Sequence, residues 1–70
     1  MEELIDARGL RCPVPLLRAR AALRALGPGD TLVVLADDPE APIDLAALAL
    51  DTGRAFTADG ERLVLAPAEQ

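Results

Sequence analysis

Chain breakers divide these 70 residues into runs too short for any large architecture. Gly27-Pro28-Gly29, Asp37-Asp38-Pro39, Gly53 and Asp59-Gly60 each end one element and open the next. Before them, Glu2 to Asp6 is a short strand with Leu4 and Ile5 as its apolar content, and Gly9 permits a turn. Pro13 to Leu26 has helical periodicity, with Cys12, Leu16, Ala19, Leu23 and Leu26 in one sector. Arg18 points away from that stripe, and Arg20 and Arg24 flank it. Thr31 to Ala36 is a continuous apolar run, as expected of a strand central in a sheet or covered on both sides. Asp38 as N-cap, Pro39 at N1 and Glu40 in the first turn then start a second helix, which runs to about Thr52 with Gly53 at C′. Its apolar residues form two faces, one of Ile43, Ala46, Ala47 and Leu50, the other of Leu45, Leu48 and Ala49. Arg54 to Ala58 and Glu61 to Ala66 are strands around an Asp-Gly turn of type I′, and Pro67 to Gln70 is a frayed tail. The order βαβαββ predicts a two-layer α/β (α+β) sandwich: a four-stranded mixed sheet with both helices on one face, in one domain spanning residues 1–70.

Composition sets what such a domain can do. Half of the residues are hydrophobic, enough for a core, but Ala and Leu dominate and Phe56 is the sole aromatic. No apolar run is long enough to span a membrane, and Met1-Glu2-Glu3 is acidic where a signal peptide is basic. A lone cysteine forms no internal disulfide, so a cytoplasmic location is expected. The net charge of −5 argues against direct nucleic-acid binding, which phosphate contacts dominate. That charge is unevenly spread. Between Ala7 and Gly29 lie five arginines and no acid, leaving Arg54 and Arg62 against all twelve acids elsewhere.

Cys12 lies within that basic segment, in Cys12-Pro13-Val14-Pro15. A thiol reacts as its anion. A position at the N-cap or first residue of a helix, with Arg8 and Arg11 in the approaching loop, is expected to favour that anion. Pro13 and Pro15 lack N–H groups at helix positions that need no intrahelical acceptor, so they stiffen the turn and leave Val14 and Leu16 as donors near the sulfur. Without His there is no Cys–His dyad, one Cys cannot build an ordinary zinc site, and no phosphate loop is present. Asp37, Asp38 and Asp44 could bind a divalent cation, but capping and solvation account for them better. No metal and no cofactor are expected.

Gly9-Leu10-Arg11-Cys12-Pro13-Val14-Pro15-Leu16, then Gly29-Asp30, Ala36-Asp37-Asp38-Pro39 and Asp44, resembles the TusA/SirA-like sulfur-carrier family from about Asp6 to Gly53. The resemblance implies a βαβαββ sandwich similar to the C-terminal domain of a bacterial translation initiation factor. It implies that Cys12 accepts sulfane sulfur as a persulfide, with Gly9, Arg11, Pro13 and Pro15 in support. The implied partners are a cysteine desulfurase or rhodanese-like donor and a downstream acceptor protein serving tRNA thiolation, sulfur oxidation or cofactor sulfuration. Arg20, Asp37, Asp38 and Asp44 are the expected partner contacts. Such a protein is a stoichiometric carrier and not an enzyme. The alternative is a redox-sensitive regulatory or interaction module that uses Cys12 as a thiol switch.

Overall fold

In a computed structural model that describes residues 1–68, the elements are β1 (Glu2–Asp6), α1 (Val14–Ala25), β2 (Thr31–Leu35), α2 (Ala41–Asp51), β3 (Arg54–Asp59) and β4 (Arg62–Ala68). The four strands form one sheet in the order β1-β2-β4-β3. β1 and β2 run parallel, with Leu4 beside Val33, whereas β4 is antiparallel to both β2 and β3. The mixed sheet and the βαβαββ order match the expectation. The apolar run of β2 is explained by its central place, where Leu32, Val33 and Val34 are all buried.

The residues facing the helices alternate along each strand. Ile5 of β1, Leu32 and Val34 of β2, Phe56 of β3 and Leu63 and Leu65 of β4 join one core with Ala19 of α1 and Leu45, Leu48 and Ala49 of α2. Five buried alanines, Ala7, Ala19, Ala36, Ala41 and Ala49, keep the two layers close. Leu32, Leu45, Leu63 and Leu65 supply the volume, and truncating any one of them to Ala costs about 2–5 kcal/mol. The other sheet face carries no helix and exposes Leu4.

Element boundaries differ from expectation in physically legible ways. α1 begins one residue later: Pro13 is its N-cap and Pro15, fully buried, sits at the second helical position. Cys12 therefore precedes the cap, off the apolar stripe, and the Cys12-Pro13 peptide is cis. α2 starts at Ala41, because Pro39 and Glu40 form a turn closed by the Ala41 N–H donating to the Asp38 carbonyl at 3.0 Å. Asp38 thus caps that turn and not the helix; Glu40 is the N-cap. Of the two apolar faces of α2, the one with Leu45, Leu48 and Ala49 is buried, while Ile43 and Leu50 are exposed.

The final hairpin pairs Asp59 with Arg62, so its loop is Gly60-Glu61. Gly60 has φ +60° and no non-glycine residue has positive φ, which matches a type II′ turn in place of the expected I′. β4 extends through Pro67 to Ala68, where a tail was expected, and the Ala68 N–H donates to the Pro28 carbonyl at 2.7 Å. Glu69 and Gln70 of that expected tail lie outside the described residues.

Candidate functional site

Two parallel strands ending at the same edge bring their following loops together. β1 leads into Ala7–Pro13 and β2 into Ala36–Glu40, the edge where open α/β sheets place their sites. The Ala7 N–H donates to the Leu35 carbonyl at 2.7 Å and so extends the pairing past the strand ends. Two carboxylates of the second loop then hold the first. The Gly9 N–H donates to Asp37 Oδ1 at 3.0 Å, and the Cys12 N–H donates to Asp38 Oδ2 at 2.6 Å. Gly9 has φ +84°, and this angle, not crowding, is what calls for glycine there. Asp38 is buried, and its other oxygen accepts from the Glu40 N–H at 3.4 Å.

Cys12 is exposed, and its sulfur faces the first turn of α2. Its Sγ donates to Asp44 Oδ2 at 3.1 Å. That bond, then desolvation, then the charges of Asp44, Glu40 and Asp38 push the thiol up to about 11. The expected bias toward the anion is therefore reversed. The arginines close in sequence do not supply the charge that reaches the sulfur. Arg8 is turned back onto Asp6, with Nε to Oδ1 at 2.9 Å and Nη2 to Oδ2 at 2.7 Å, and its guanidinium and N–H bonds hold the Asp6 carboxyl down to about 2. Of the two expected donors near the sulfur, Val14 is engaged elsewhere, its N–H donating to the Arg11 carbonyl at 2.8 Å.

A family model described as sulfurtransferase TusA matches residues 3–63 of this chain. The chain belongs to the TusA family. A putative sulfur carrier protein of Neisseria meningitidis is 49% identical over 51 residues, 73% of this chain and 69% of that protein. The sulfur carrier protein TusA of Allochromatium vinosum is 44% identical over 52 residues, 74% of this chain and 68% of that one. Among solved structures, a SirA-like protein from Desulfitobacterium hafniense superposes with a TM-score of 0.81 at 29% identity, covering 96% of this chain and 99% of its own.

In this TusA-family chain Gly9, Cys12, Asp37, Asp38 and Asp44 come together. Arg11 and Pro13 are exposed beside the cysteine, and Pro15 anchors the helix start in the core. Arg20 is not part of the cluster: it lines a cleft between α1 and α2 with Arg24, Leu48 and Asp51. Asp38, expected at a partner contact, is buried because both its oxygens serve the two loops. Glu40 and the Asp44–Cys12 bond were not foreseen, although the parallel β1–β2 pairing signals that both loops share an edge. Among the described residues no group of three or more Cys, Asp or Glu is placed to hold a metal, and no helix is long and apolar enough to cross a membrane.

Proposed function

We propose that this protein is a sulfur carrier that accepts sulfane sulfur on Cys12 as a persulfide and relays it to a partner protein. The observation that carries the reading is the exposure of its one cysteine at the loop edge of a TusA-family fold whose relatives are named sulfur carriers. With no second thiol in the chain, no neighbour can close a disulfide and expel the sulfur as sulfide. It acts stoichiometrically, in the cytoplasm, between a donor and an acceptor. The donor is a cysteine desulfurase or a rhodanese-like protein, and the acceptor serves tRNA thiolation, sulfur oxidation or cofactor sulfuration.

Gly9 and Asp37 shape the loop, Pro13 and Pro15 fix the helix start behind it, and Arg11 and Arg20 remain exposed for a partner. A thiol switch fits less well, because the relatives are named sulfur carriers. The test is incubation with cysteine and a cysteine desulfurase, read by intact mass. The wild type is expected to gain one sulfur atom and Cys12→Ser none; no gain, or an equal gain on both, overturns the reading.

A further inference from the structure

The hydrogen bond between Cys12 and Asp44 exists only while Sγ carries its proton. Removing that proton leaves two anions 3.1 Å apart. We propose that Asp44 is a specificity-determining residue for sulfur loading: it holds Cys12 as a thiol in the free protein and selects donors that bring a positive charge to the sulfur. The proposal rests on the carrier reading above.

Every element packed near the sulfur bears on this. Asp44 and Glu40 come from the start of α2, and Asp38 from the β2–α2 loop, all of one sign. From the sulfur's own loop, Arg8 is paired with Asp6, and the Arg11 side chain is exposed. Arg18, Arg20 and Arg24 lie further along α1. Among the described residues Asp44 forms no ion pair, and the raised thiol value agrees with that geometry.

Loading requires the opposite charge state. The Cys12 thiolate attacks the terminal sulfur of the donor's persulfide and a new S–S bond forms. The donor's own S–S bond breaks with its electron pair on the donor sulfur, which takes up the proton that Cys12 lost. The transferred sulfur keeps its oxidation state, so no oxidant or reductant is needed. An ammonium or guanidinium set against Asp44 replaces the S–H donor and leaves the sulfur free to ionise; a neutral or anionic donor does not. The recognised chemistry is therefore a persulfide flanked by Lys or Arg.

Charged disulfides test this without an identified partner. At low salt, mixed-disulfide formation on Cys12 is timed with cystamine, a dication, and with dithiodipropionate, a dianion. A unit charge about 5 Å from a carboxylate in water shifts local concentration roughly fourfold. The wild type is expected to react about thirtyfold faster with the dication, about tenfold of this from Asp44 after some salt screening and the rest from Asp38 and Glu40. In Asp44→Asn the ratio should narrow to roughly threefold, since Asp38 and Glu40 remain. Equal ratios in the two proteins, or a wild-type preference for the dianion, overturn the proposal. Should Asp44→Asn fail to fold by circular dichroism, Asp44→Ser is compared with the wild type in the same way: a narrowed ratio supports the proposal and an unchanged one overturns it. Neither reagent carries sulfane sulfur, so these rates stand apart from the mass test of the carrier reading, and each can fail alone.

Discussion

The two ends of this molecule are built with the same device in opposite signs. At the end holding Cys12, carboxylates of one loop accept from N–H groups of the next, Asp37 from Gly9 and Asp38 from Cys12. At the other end Arg54, buried at the start of β3, donates to the carbonyls of Gly27, Asp30 and Ala66, tying the α1–β2 loop to β4. Asp30 in turn accepts from the Gly27 N–H at 2.9 Å, which holds its carboxyl below the ordinary value. At the guanidinium end the charge fastens the chain. The carboxylate end surrounds a thiol, so there the fastening also sets the chemistry.

Breaking the Arg54 end should have the larger effect on stability. Arg54→Met removes a charged donor from three carbonyls and is expected to cost about 3 kcal/mol, read as a lower urea midpoint. That is a large share of the ~4–10 kcal/mol expected of a domain this small. The alkylation rate of Cys12 in the folded variant should not change, because Arg54 lies at the opposite end of the strands. A changed rate would show that the two ends are not independent.

Asp38→Asn is the counterpart at the cysteine end. Asn keeps one acceptor for the Cys12 N–H, without the charge, and turns its NH2 toward the Glu40 N–H, so a cost of about 2 kcal/mol is expected. Here the alkylation rate should rise, because one of the charges that raise the thiol is gone. Loss of stability without faster alkylation would make Asp38 a fastener only, like Arg54.

The smallest effect belongs to Asp6, which faces Arg8 in solvent. Its folded value lies below its ordinary one, so what the pair adds to stability is present above about pH 4 and lost as pH falls toward 2. Unfolding midpoints of the wild type and Asp6→Asn should differ slightly at pH 6 and converge near pH 2. A difference that persists at pH 2 would mean that Asp6 acts through something other than its charge.

The contrast between the ends also shows what the sequence could reveal. Periodicity and breakers were enough for the element order, because Gly27-Pro28-Gly29 and Gly53 end their helices by backbone chemistry alone. The central place of β2 was legible in Thr31–Leu35, since only a covered strand tolerates three consecutive buried residues. Cys12 stood out by its prolines. Its electrostatics did not, because the arginines adjacent in sequence are not the groups adjacent in space. Asp38 and Asp44 reach the cysteine from 26 and 32 residues away, and Arg8 is diverted by Asp6, two residues before it. Arg54 was unremarkable for a similar reason, as its three acceptors come from a loop and a strand that only the fold assembles.

The acidic loop edge, with Asp44 accepting from the sulfur, holds Cys12 as a thiol in the free protein. Thiolate absorbance followed against pH in the ultraviolet tests it directly, with Cys12→Ser as the blank. The folded value lies above the unfolded one, so any stability the thiol adds is intact below about pH 9 and lost as pH rises toward 11. The titration should accordingly be centred near 11, and Asp44→Asn should bring it down. A wild-type midpoint at or below the ordinary cysteine value of about 8.5 would contradict this account of the site.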